Sequence, residues 1–168
     1  MLILFEEHNI ACPPLAEYCQ FRDAVLAKIC TELGIDRDMA KKCCLTVTHI
    51  GNYTQHTGGV KTDFLDLFKA AYTAAVKQLK KRASYVSIWE RACRDAGDNP
   101  LGTFVSYCCQ IAEASAIKAL ATFLRSRNGT IRTNSFDGLM ASGFESLTDA
   151  EMRLLLDEVC TCRLPVTR

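Results

Sequence analysis

A chain of 168 residues can bury a full core without a staple, because folding at that length hides about 70% of the surface the unfolded chain exposes. Hydrophobic residues make up 49% and charged residues 23%, with a formal net charge of +1. These values exclude a disordered tail and a fibrous repeat, and they argue against a dedicated nucleic-acid surface or a membrane-surface protein, which carry a clear basic excess.

The chain opens with MLILFEEHN. Its apolar run is too short for a signal peptide and acidic residues follow at once, so residues 1–13 read as an N-terminal extension of a cytoplasmic, thiol-reducing protein. Pro13 and Pro14 then precede Leu15, Tyr18, Cys19, Val25, Leu26, Ile29, Cys30 and Leu33, which recur at helical spacing, and Gly34 follows as a terminator. A second helix is expected from about Asp36, with Met39, Cys43, Val47 and Ile50 on one stripe, although the β-branched trio Thr46, Val47, Thr48 opposes it. Gly58 and Gly59 mark a break. From Thr62 a third helix places Phe64, Leu67, Phe68, Ala71, Ala75 and Leu79 on one face and ends in the basic cluster Lys77, Lys80, Lys81 and Arg82, read as a solvated helix end.

Ser84 is a candidate cap for a fourth helix with Tyr85, Ile88, Trp89, Ala92 and Cys93 inward and Gly97 at its end. Asn99 followed by Pro100 starts a fifth: the asparagine side chain can accept from free backbone amides, and proline lacks only a donor that the first turn leaves unused. Between Phe104 and Leu124 the residues are mostly apolar, and the polar ones gather on no single broad face. This helix is therefore expected to be surrounded by the others. Glu113 and Lys118 make it too polar to span a membrane. Arg127, Asn128 and Gly129 end it, and a turn-rich stretch and a short segment from Phe136 to Phe144 follow. Thr148 and Glu151 form a capping box for a last helix with Met152, Leu155, Leu156 and Val159 buried. No run of alternating strand residues stands out, so the expected class is all-α, a single domain over residues 1–168 with residues 160–168 as a tail that holds no hydrophobic anchor.

Ten cysteines in a reducing compartment read as small buried hydrophobes on apolar helix faces. No C-x-x-C pair is present and His8, His49 and His56 lack finger spacing, so no metal site is expected. The sequons at Asn52 and Asn128 read as chance matches. No phosphate loop, H-E-x-x-H motif or nucleophile elbow occurs, and the chain reads as a binding protein without a cofactor or catalytic residues.

Three local stretches carry a family resemblance. Val47 to Tyr53 (VTHIGNY) is similar to the death motif of the Bcl-2 family of apoptosis regulators, with Asn52 where aspartate is usual. Tyr85 to Cys108 (YVSIWERACRDAGDNPLGTFVSYC) resembles that family's first homology motif, in which Asp95, Gly97, Asn99, Gly102 and Val105 match across two single-residue insertions. Thr103 stands where the family has arginine, and Pro100 with Leu101 replaces tryptophan. Phe123 to Gly129 (FLRSRNG) and Gly143 to Leu147 (GFESL) both resemble parts of the second homology motif, and spacing favours the later one. The resemblance implies a Bcl-2-like bundle with a buried central helix, of the compact and anchorless kind a viral member would show. It also implies an apoptosis inhibitor that sequesters pro-apoptotic proteins by taking their BH3 helix into a hydrophobic groove, in the cytoplasm and reaching mitochondria through its partners.

Groove binding needs apolar pockets spaced for i, i+3 or i+4, and i+7 of the incoming helix. The resemblance places the partner-helix site at Phe64, Leu67 and Phe68, at Ile88, Arg91 and Ala92, and at Asn99, Gly102, Thr103 and Ser106, with Gly102 allowing close approach of a backbone. With arginine absent at position 103, the charge-assisted contact would fall to Arg91 or Arg94. Two alternatives stand beside this reading. One keeps the fold but uses another face, for an immune-signalling partner or a homodimer, and the other is an enzyme that pairs a cysteine with His49 or His56.

Overall fold

The structure is a computed structural model that describes residues 1–135, 138–143, 148–151, 153 and 154. It is mostly helical and divides into two compact units, Met1–Cys108 and Cys109–Arg168.

In the first unit, helix α1 (Leu2–Glu7) lies in the segment expected to be a mere extension. Leu4, Phe5, Ile10 and Cys12 are buried, so this segment is part of the core. The single helix expected from Leu15 to Leu33 is two, α2 (Pro13–Gln20) and α3 (Arg22–Leu33), parted at Phe21, whose φ of −121° and ψ of 38° leave the helical region. No apolar residue stands between Phe21 and Ala24 to hold a continuous turn against the core. Gly34 ends α3 in the left-handed conformation at φ 63°, as a glycine C-cap should.

Helix α4 (Arg37–Thr48) begins where a helix is expected, the Asp36 carboxylate accepting from the Met39 N–H at 2.7 Å. It runs through the β-branched trio because Ala40, Cys43, Cys44 and Val47 are buried on one stripe, and packing outweighs the small propensity penalty. A 3-10 turn at Tyr53–His56 leads to α5 (Asp63–Leu79). The start of α5 is locked by a polar knot. Thr62 Oγ1 accepts from the Leu65 N–H at 3.1 Å, the Thr62 N–H donates to the Tyr53 oxygen at 3.3 Å, and the Tyr53 hydroxyl donates to Asp66 at 2.7 Å. Burial, followed by the bond to Asp66, pushes the Tyr53 phenol up to about 12.

The central element of this unit is α5, which packs against α2 and α4, while α3 packs on both of those. Its buried face carries Phe64, Leu65, Phe68, Tyr72, Ala75, Val76 and Leu79. At 100° per residue the middle of that face lies roughly 120° from Leu67, which is 61% exposed. Aromatic rings form a row along it: Phe64 to Phe68 at 5.8 Å, Phe68 to Tyr72 at 5.9 Å, Tyr72 to Phe5 at 5.6 Å, and Tyr18 against Phe68 at 6.0 Å.

After a 3-10 turn at Ala83–Tyr85, α6 (Val86–Asp95) starts without the side-chain cap expected of Ser84. It rests on the start of α7 (Pro100–Ser126) through Trp89 against Phe104 at 6.0 Å. Within α7, Gly102, Phe104, Val105, Cys108, Ala121 and Leu124 are buried, and no residue from Cys109 to Leu120 is. Small residues, Ala112, Ala114, Ser115, Ala116 and Ala119, raise the apolar fraction there without large side chains to bury.

Tyr85 is 2% exposed, with rings of His8 at 5.3 Å and Phe104 at 6.2 Å, and among the described residues nothing bonds its hydroxyl. Burial pushes its phenol well above the ordinary range. A buried hydroxyl without a partner costs about 1–3 kcal/mol. Tyr85→Phe is therefore expected to leave stability unchanged or raise it by about 1 kcal/mol, and a clear loss in urea unfolding would reveal a bond to that oxygen.

In the second unit α7 ends with Asn128 left-handed at φ 61° and the Gly129 N–H donating to Leu124 O at 2.9 Å. The following stretch is a β-hairpin, which corrects the expectation of no strand: β1 (Thr130–Ser135) pairs antiparallel with β2 (Gly138–Ser142), with a bulge between Ile131 and Thr133. The capping box is formed, the Thr148 N–H donating to Glu151 at 2.8 Å and the Glu151 N–H to the Thr148 hydroxyl at 3.3 Å, and Arg127 pairs with the same carboxylate. The buried stripe expected beyond it, Met152, Leu155, Leu156 and Val159, lies outside the described residues, as do residues 160–168.

The Thr148 amide, Arg127 and the Thr148 hydroxyl hold the Glu151 carboxyl down at about 2 from an ordinary 4.5. A depressed carboxylate stabilises the fold above its unfolded value and stops doing so as it protonates. The cap's contribution is expected to be complete above 4.5 and lost as pH falls toward about 2. A carbon-detected NMR titration of Glu151 checks this, and a midpoint near 4.5 would show that the cap does not hold.

Candidate functional site

The ten residues expected to form one cleft meet different fates. Phe64 and Phe68 are 7% and 0% exposed and belong to the aromatic row, so they serve the core. Leu67 points away from them at the surface. On α6, Ala92 is fully buried, Ile88 is half-buried and Arg91 is exposed. At the start of α7, Gly102 is buried, Thr103 and Ser106 are half-buried, and Asn99 is exposed.

Asn99 and Gly102 do come together, around a residue the sequence did not single out for this purpose. Asn99 caps α7 by accepting from the Gly102 N–H at 3.0 Å, while its amide donates to the His49 carbonyl at 2.9 Å. The close backbone approach that Gly102 permits is thus taken by the chain's own His49, at the C-terminal end of α4. The VTHIGNY segment is also divided. Its first two residues finish α4, Ile50 is left-handed at φ 59°, and Asn52 accepts from the Thr54 N–H at 3.3 Å.

Arg91 is held at the surface rather than reaching inward. Its Nε lies 3.3 Å from Asp95, its guanidinium stands 4.7 Å from the centre of the Tyr107 ring, and the Tyr107 hydroxyl donates to the same Asp95 oxygen at 2.7 Å. The Tyr107 hydroxyl and Arg91 hold the Asp95 carboxyl below its usual range, and the bond to Asp95 pushes the Tyr107 phenol up. Asp95 and Arg91 are one helical turn apart, a spacing readable in the sequence. Tyr107 comes from another helix, and only the fold delivers it.

The basic cluster is partly engaged. Lys80 sits 3.6 Å over the Trp89 ring and Arg82 donates to the His8 carbonyl at 3.0 Å. A cation over indole is worth about 0.5–2 kcal/mol, so these side chains fasten α5 to its neighbours as well as solvating its end.

A nucleophilic thiol needs a lowered pKa and a nearby base. Burial instead pushes Cys12 and Cys43 up, and Cys44 up to about 12. His56 Nε2 lies 3.0 Å from the Thr46 hydroxyl and 3.2 Å from the Gln55 amide. Cys108 is buried with them, Cys30 and Cys109 are half-buried, and Cys19 and Cys93 are exposed. Among the described residues no group of three or more His, Cys, Asp or Glu is placed to hold a metal ion, and no helix is long and apolar enough to cross a membrane.

No protein-family model matches the chain, and no solved structure does. In an alignment of 147 positions that covers 82% of the chain, it is 24% identical to a protein of Sputnik virophage named putative helicase V13. It spans 18% of that relative's length.

Proposed function

We propose that this chain is a helical protein-docking module that serves a helicase-type assembly and does not carry the motor itself. The observation behind this reading is the alignment: it runs over 82% of the chain yet takes up 18% of a protein named putative helicase. Within that stretch the sequence has no G-x-x-x-x-G-K-[ST] loop for nucleotide phosphates. A segment of such a protein without the phosphate loop has binding and positioning left to do. Helices with cores of their own and charged outer faces suit that task.

The test uses the Sputnik protein with the matched segment removed. This chain, added in trans, is expected to co-sediment with it, while the chain alone releases no phosphate from ATP with or without single-stranded DNA. ATP turnover by the chain alone, or separate sedimentation of the two proteins at micromolar concentration, would overturn the reading.

A second reading retains the apoptosis inhibitor of Bcl-2 type, and the exposure of Leu67 at 61% favours it, since a large apolar side chain stands out on α5 beside polar neighbours. A BH3 helix from a pro-apoptotic protein would then bind on Leu67, Ile88 and Arg91, while Phe64 and Phe68 stay in the core on the other side of α5. Titration with a panel of BH3 peptides decides it: micromolar or tighter binding that Leu67→Ala weakens supports this reading, and failure of every peptide removes it.

A further inference from the structure

Away from those residues, a cleft runs along the outer face of α4. Asp38, Lys41, Lys42, Leu45 and Thr48 line one wall, Tyr18 and Arg22 the other, and the buried Cys44 lies at its floor. The α4 residues follow one another at i, i+3, i+4, i+7 and i+10, so they form one continuous wall about 15 Å long at 1.5 Å per residue. Leu45 is 60% exposed in the middle of it. An adjoining hollow shares Arg22 and carries Phe21, 55% exposed. The charge on this rim is unbalanced, three cations facing one carboxylate. Asp38 accepts from Lys41 at 2.8 Å, and Lys42 makes no ion pair among the described residues.

We infer that this cleft docks an acidic amphipathic helix of a partner protein, whose apolar stripe covers Leu45 and whose carboxylates meet Arg22, Lys41 and Lys42. The length of the wall accommodates two to three turns of such a helix, with anchors one turn apart. Charge complementarity selects the occupant. An uncovered leucine between lysines offers apolar burial at the centre and opposite charge at the rim, the usual arrangement of a protein docking surface.

A nucleic-acid strand fits less well. Asp38 would face its phosphates, and the one aromatic ring in the cleft is already occupied, with Arg22 at 5.9 Å from its centre and Phe68 at 6.0 Å. Within the cleft itself no second ring is present for a base to stack on, and the exposed Phe21 lies in the adjoining hollow.

The inference rests on the docking reading above and names the chemistry of the partner, and its test can fail independently of that reading. The probe is a fluorescein-labelled peptide of about 16 residues with leucines at i, i+3, i+7 and i+10 and glutamate elsewhere, titrated into the full chain by anisotropy. Binding on the order of 10 μM is expected. Lys42→Glu and Leu45→Ser are each expected to weaken it by about tenfold, with unchanged circular dichroism because both side chains are exposed. Raising the salt should weaken binding by the parent chain as well, which tests the charge contribution without any variant.

A lysine-for-glutamate version of the peptide that binds as tightly would overturn the proposal, as would full affinity in both variants or no binding of the acidic peptide. Lys42-dependent binding of labelled oligothymidylate instead would assign the cleft to nucleic acid and overturn it too. Co-sedimentation with the truncated Sputnik protein in the absence of peptide binding removes only the cleft assignment. The opposite result leaves the cleft and removes the helicase-type assembly.

Discussion

Phe68→Ala is expected to cost the first unit about 3–5 kcal/mol, the range for emptying a buried aromatic site. Phe68 is wholly buried, and its ring is the junction at which Tyr18, Phe64 and Tyr72 meet. Removing it leaves three rings facing a void that helices α2 and α5 cannot close without moving together. Against a total stability of about 5–15 kcal/mol, that loss leaves a marginal fold at best. Leu67→Ala, one residue away, should stay within about 0.5 kcal/mol because the side chain is largely in water. Urea unfolding of the two variants provides the comparison. Equal losses would mean that the buried face of α5 is turned from the one described here, and a mild Phe68→Ala would return that ring to the surface, where a groove could use it.

Gly102→Ala is expected to destabilise the chain by about 2–3 kcal/mol, by overpacking a closed site. The sign is the informative part. Within an exposed helix the same change would gain up to about 1 kcal/mol from propensity alone. Here a Cβ would collide with the His49 carbonyl oxygen and the Asn99 side-chain amide. The bonds from Asn99 to His49 and from Gly102 to Asn99 cannot both survive that collision, so the end of α4 comes away from the start of α7. The melting temperature should fall by roughly 10–20 °C, given about 4–8 °C per kcal/mol in a unit of this size. Gly97→Ala is the control, since nothing lies within 4 Å of its Cβ position. A stabilised Gly102→Ala would show that the two helix ends do not meet.

The site was legible only in pieces. Asp95, Gly97, Asn99, Gly102 and Val105 stand out through their resemblance to a family motif, and Asn99 with Gly102 does make a specific junction. The junction closes on His49, fifty residues earlier, because the end of α4 is delivered there by packing and no local spacing records it. Likewise the i, i+4 pair of Arg91 and Asp95 could be read directly, whereas Tyr107 could not. The cleft on α4 was missed for a different reason. Its lysines balance acidic residues elsewhere, so net charge hides them, and Leu45 stands off the stripe that marks the buried face.

What the sequence determined by itself is local: the caps at Asp36, Thr62, Asn99 and Thr148, the left-handed stop at Gly34, and the existence of most helices. Each depends on a side chain reaching a backbone amide within its own turn, or on a glycine's freedom at a single position. Tertiary structure decided which face of each helix turned inward, and within the first unit it made α5 the central element. It also revealed the hairpin of Thr130–Ser135 with Gly138–Ser142, whose strands are held by backbone bonds to each other and need little apolar alternation. Burial goes to the helix that can present large side chains to several neighbours at once. That depends on where the neighbours are, which periodicity along one segment does not contain.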